Sequence, residues 1–164
     1  MPVAETASTF NEVLTVSAAI DAAESDDEKL ALIESQLSDA CQIICDIYSR
    51  YLFESAVFAA RPEEFLDPDR LCQMMLEAQK KAYGDGLDQT CLHPYMWLCK
   101  GHYYSGSLSF YNFPYAFGGL FARGLYAKYQ QEGKDFVPLY KKMLHATSVT
   151  CVEDTAKIAG IDLT

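Results

Sequence analysis

A chain of 164 residues, half of them hydrophobic, is one domain with length enough to bury a real core, and its formal net charge of −10 argues against a nucleic-acid backbone or an anionic membrane as partner. No apolar run approaches the roughly 20 residues needed to span a bilayer, and the N-terminus lacks the basic and apolar regions of a secretory signal. Six cysteines without a C-x-x-C pair read as reduced packing residues of a cytoplasmic protein.

Residues 8–23, STFNEVLTVSAAIDAA, have the period of a helix whose apolar side carries Phe10, Val13, Leu14 and Ile20. Glu5 (at or just ahead of the helix start), Ser8 and Glu12 fall in register on the other side. Ser25 with Glu28 forms a capping box. Leu30, Ile33, Leu37, Cys41, Ile44, Tyr48 and Tyr51 carry that second helix through Phe58, a spine of about 50 Å at 1.5 Å per residue. Arg61-Pro62 ends it.

Asp67-Pro68 starts the next helix, with Leu71, Met75, Ala78 and Ala82 as its buried stripe and Gly84 and Gly86 as its stop. Residues 87–109 are aromatic and irregular. From about Asn112 an apolar helix with paired Gly118 and Gly119 follows, and Gly133 separates it from a short helix ending near His145. Thr150 and Glu153 cap a last small helix, stopped by Gly160. Without repeats, linkers or convincing strand alternation, the reading is all-α, a single helical domain over 1–164.

Across the joint before the apolar helix sit His102, Tyr111 and Tyr115. Residues four apart share a helix face, so both phenols can point the same way. With an imidazole they make a neutral hydrogen-bonding cluster suited to stabilising an oxyanion. Phe117, Leu120, Phe121 and Leu125 nearby keep open the plainer reading, core residues with satisfied hydroxyls. Glu5 and Glu12 have no cation nearby in sequence, the first lysine being Lys29, so they either invite a metal or histidine or are simply solvated. Cys91, His93, Cys99 and His102 match no common zinc module, with bulky Tyr95, Met96 and Trp97 between them. His145, near Lys141 and Lys142, serves a helix end. Nucleophile motifs, phosphate loops and dinucleotide fingerprints are absent.

Separated segments resemble one family. Glu5-Thr-Ala-Ser-Thr-Phe-Asn-Glu12 resembles the E-x-x-S-x-x-x-E helix of the oligoendopeptidase F and thimet oligopeptidase family of zinc peptidases. His93-Pro-Tyr-Met-Trp, Gly101-His102-Tyr-Tyr and the run from Phe110 to Gly119 look like the histidine–tyrosine wall of oligoendopeptidase F, and Ser148–Leu163 is similar to its C-terminal end. The resemblance implies a zincin-type, clam-shaped helical domain that admits short peptide substrates. It implies Glu5 as the third zinc ligand, Glu12 as a carboxylate orienting the ligands, and Tyr115, Tyr111 and His102 as donors to the substrate carbonyl and oxyanion.

The family's H-E-x-x-H helix has no counterpart here, the three histidines being His93, His102 and His145. The expectation is therefore a gene fragment holding the C-terminal part of a catalytic domain, which works with the remainder of that domain. Alone it would be inactive, hold zinc weakly if at all, and self-associate through an exposed apolar face. The alternative is a non-enzymatic helical module that binds peptides in an aromatic groove.

Overall fold

Thr6–Ala22 forms the first helix, α1, in a computed structural model that describes residues 2–163. It buries Phe10 and Val13 as its pattern requires, and Thr6 and Thr9 beside them. The capping box starts α2, Asp26–Cys41: the Glu28 N–H donates to Ser25 Oγ (3.2 Å) and the Glu24 N–H to Glu28 Oε2 (3.0 Å). Helical backbone then runs on, as predicted, through a π turn over Gln42–Asp46 into α3, Ile47–Ala60. In that turn the Ile47 N–H reaches back five residues to the Gln42 carbonyl.

The predicted stripe along this helix is helical in period but not buried. Among the described residues α2 buries none, and Leu30 and Leu37 are each 65% exposed. Ile44, Tyr48 and Tyr51 are exposed as well.

Helix α4, Pro68–Tyr83, begins with Asp67 Oδ1 accepting the Arg70 N–H (2.8 Å) and ends at Gly84, whose φ of 58° suits glycine. Its buried face is Met74, Met75, Ala78 and Gln79. That is a rotation from the expected stripe, since Leu71 and Ala82 are only half-buried. Gln79 joins the buried side because its amide exchanges two bonds with the His93 backbone, at 2.8 and 3.1 Å.

Helices α5 (Phe113–Glu132), α6 (Phe136–Ala146) and α7 (Val152–Ile158) complete the chain. Among the described residues there is no strand, so the fold is all-α. The predicted Thr150 cap of α7 is not made. Thr150 Oγ1 instead bonds the Ala146 carbonyl (2.9 Å) and Thr155 Oγ1 (2.8 Å), which leaves Cys151 at the cap position. The six cysteines are free, yet none is buried and Cys41, Cys91, Cys99 and Cys151 are exposed, which corrects the packing role expected of them. No helix among the described residues is long and apolar enough to cross a membrane.

The chain divides into two compact units, Met1–Ser38 with Pro114–Thr164, and Asp39–Phe113. In the first, Phe10, Phe121, Ala122, Leu125, Phe136 and Met143 form the core with Ala156 and Ala159 of the C-terminal segment. Phe10 meets Tyr140 at a ring separation of 4.5 Å and Tyr129 edge-on at 6.5 Å. In the second, Phe53 of α3 packs with Met74, Met75 and Ala78 of α4, and Trp97 and Tyr103 from the following segment close over them.

Candidate functional site

Glu5 occupies the N-cap position of α1, where a negative side chain meets the positive end of the helix. The Ser8 hydroxyl lies 2.9 Å from the Glu5 carbonyl and 3.2 Å from its carboxylate Oε2, so the E-x-x-S spacing is one turn of hydrogen-bonded helix. The half-buried Glu5 is also pressed against α5. A Cβ placed on Gly118 would stand 3.2 Å from the Glu5 backbone carbon and 3.2 Å from the Thr6 nitrogen. Glycine lets the two helices approach this closely without the crowding that a Cβ would bring. Tyr115, half-buried in the first turn of α5, lies three residues before that contact, on the same helix face. Glu12, two turns beyond Glu5, is exposed.

His102 and Tyr111 belong to the other unit. His102 sits in a 3-10 turn over Gly101–Tyr104, and its ring meets that of Tyr111 at 5.4 Å between centroids, tilted by 49°. Both side chains are half-buried. The expectation that Tyr111 and Tyr115 share a helix face does not hold, because α5 begins only at Phe113. Phe110, with φ of 56°, turns the backbone out of helical geometry, and Tyr111 lies in the turn behind it. His93 is exposed, its backbone rather than its ring being the part held by Gln79.

Sequence reasoning missed Glu54. It is buried on α3 at 6% exposure, accepting the Phe110 N–H on Oε1 (2.6 Å) and the Asn112 side-chain amide on Oε2 (2.9 Å). Burial raises its carboxyl above the usual glutamate range, opposed by the Phe110 bond, by the positive charge of His102 and by Asn112. A signal was present, since Glu54 is the one charged residue in the apolar run 51–60. Nearby, Arg50 pairs with Asp46, and Lys100 approaches Asp46 at 3.9 Å. The Tyr103 hydroxyl lies buried with no hydrogen-bond partner among the described residues, and burial drives its pKa far upward.

A cavity of about 330 Å³ between Phe10, Tyr129, Phe136 and Tyr140 is mostly apolar, with Lys141 its one charged lining residue. Among the described residues, no three His, Cys, Asp or Glu side chains gather to hold a metal ion.

This chain is similar to part of a bacterial oligopeptidase. Oligopeptidase PepF of Bacillus subtilis (strain 168) is 28% identical over 171 residues, an alignment covering 99% of this chain. The chain spans about a quarter of that relative's length, 24% of it. No family profile matches the sequence, and no solved structure matches it. An all-helical chain that resembles part of an oligoendopeptidase F therefore carries a peptidase relationship at the level of its whole length.

Proposed function

We propose that the chain is the C-terminal part of the catalytic domain of a zinc metalloendopeptidase that hydrolyses short oligopeptides. What supports this reading most is the similarity to an oligopeptidase over 99% of the chain. The approach of Glu5 to Gly118, one turn from Tyr115, is consistent with it. In this reading Tyr115, Tyr111 and His102 donate hydrogen bonds to the peptide carbonyl as negative charge builds on its oxygen. Glu5 is one zinc ligand, and Glu12 a carboxylate behind the ligands.

The described residues do not by themselves fit a zinc ion. Glu5 is a suitable carboxylate donor, but no second and third ligand gather with it, and the sequence holds no H-E-x-x-H. The reading therefore needs two histidines and a water-activating glutamate from another segment. Sequencing the DNA ahead of the first codon tests it directly. An in-frame H-E-x-x-H supports the peptidase, whereas a stop codon followed by a ribosome-binding site supports a peptide-binding module without catalysis.

Calorimetric titration of the 164-residue chain with zinc is expected to show weak heats at most; tight one-to-one binding would contradict the proposed division of ligands. The exposed Leu30, Ile33 and Leu37 of α2 give the chain an apolar stripe, for which we propose a second copy as occupant when nothing else covers it. Light scattering should then report mass rising with concentration. A constant monomer mass refutes the stripe as a self-association surface.

A further inference from the structure

We propose that Glu54 is the positioning residue for the loop carrying His102 and Tyr111, its carboxylate tying α3 to the Phe110 N–H and the Asn112 amide. The inference rests on the reading of that loop as the peptide-binding wall. Both carboxylate oxygens are used, one for each donor. Asn112 cannot turn its amide around, because its Oδ1 already accepts the Phe113 N–H at 2.6 Å. Two fixed donors thus face Glu54, and the ionised carboxylate offers a full acceptor to each, whereas protonation would turn one oxygen into a hydroxyl, a much weaker acceptor.

The local backbone shows what the clamp holds. Phe110 has the left-handed φ of 56° that a residue with a side chain adopts when its surroundings impose it. Its ring is gripped between Tyr51 (5.9 Å) and Phe58 (5.1 Å), which lie on the Glu54 face of α3 at positions three before and four after. Tyr111 follows immediately, against His102. At the loop's other end Lys100 reaches Asp46, so α3 and the π turn before it hold both ends of the segment.

The charged and titratable groups around Glu54 include His102, Tyr103 and Tyr111 from the loop, with Lys100 at its start, and Tyr51, Arg50 and Asp46 on its own helical run. The core beside it, contributed by α4, is uncharged: Met74, Met75 and Ala78. Because burial raises the folded-state pKa of Glu54, the protein is favoured below the unfolded-state value and loses that advantage as pH rises through the folded one. The clamp needs the opposite, the ionised form. The Phe110 N–H and the Asn112 amide, both aimed at the carboxylate, favour that form.

Nuclear magnetic resonance of the isotope-labelled 164-residue chain tests this without a substrate. Acidification should move the Phe110 N–H and Asn112 side-chain resonances through one transition, with its midpoint above glutamate's ordinary 4.5, and weaken the proton contact between the His102 and Tyr111 rings. Glu54→Gln should abolish that transition and the ring contact at all pH values while the Met75 methyl signal stays in place. Glu54→Asp, which keeps a carboxylate, should return a transition. A ring contact unchanged in Glu54→Gln overturns the proposal. Should that variant not fold, a wild-type Phe110 N–H that never moves with pH overturns it equally. Either result leaves the peptidase reading standing, and the absence of an upstream zinc motif would remove that reading without touching the clamp.

Discussion

If the chain works as proposed, replacing Tyr115 by phenylalanine in the intact peptidase is expected to lower kcat about a hundredfold and leave KM nearly unchanged, the usual cost of losing one oxyanion donor, about 2.7–4 kcal/mol. The substitution removes one oxygen from a half-buried ring at the start of α5 and keeps the ring's packing. On the proposed reading the loss falls where charge develops on the substrate oxygen, in the transition state and not in the bound ground state. Steady-state kinetics on a short peptide decide the matter. An unchanged kcat takes Tyr115 out of the chemical step, and a raised KM with unchanged kcat makes it a contact of equal strength in the bound substrate and the transition state.

Gly118→Val should destabilise the chain by about 2 kcal/mol, the middle of the range for overpacking a close contact. The new side chain would meet main-chain atoms of Glu5 and Thr6 at 3.2 Å, and neither can swing aside as a side chain does. The helix propensity gained on replacing glycine, at most about 1 kcal/mol, offsets only part of this. Gly124 supplies the contrast. A Cβ there meets only the tip of the Ile161 side chain at 3.4 Å, so Gly124→Ala should be neutral or stabilising by up to about 1 kcal/mol. Urea unfolding of the two variants measures the difference. Equal midpoints would mean that α1 and α5 do not rely on the glycine.

The parts of the fold written in local chemistry are legible from the residues. Ser25 with Glu28, Asp67 with Pro68, and Gly84 with its positive φ each act within one turn of chain, and each does what its type dictates. Burial is harder to read. Leu30, Leu37 and Tyr48 repeat at helical spacing, which establishes the helix but not what lies against it. Thr150 fails as a cap because a hydroxyl can also bond back to a carbonyl four residues earlier, and here it does so.

At the candidate site, the sequence points to Glu5, His102, Tyr111 and Tyr115 through their resemblance to a motif, and the same motif is silent on what supports them. Glu54 acts on residues 56 and 58 positions away, a distance over which no spacing rule operates. The positive φ of Phe110 is invisible to residue type, since phenylalanine is among the last residues one would place there. Spacing alone consequently puts Tyr111 on a helix that starts two residues after it.

The five-residue turn at Gln42–Asp46 has a bearing on how this chain should be compared with its relatives. A π turn accommodates one surplus residue without breaking the rod, and thereby resets the angular phase of the downstream helix by roughly 100°, the arc of a single residue. A homologue lacking that residue would present Arg50, Phe53 and Glu54 a quarter-turn away from their present bearings. An alignment gap falling in this short stretch would thus mark a different loop anchorage and not a harmless length difference.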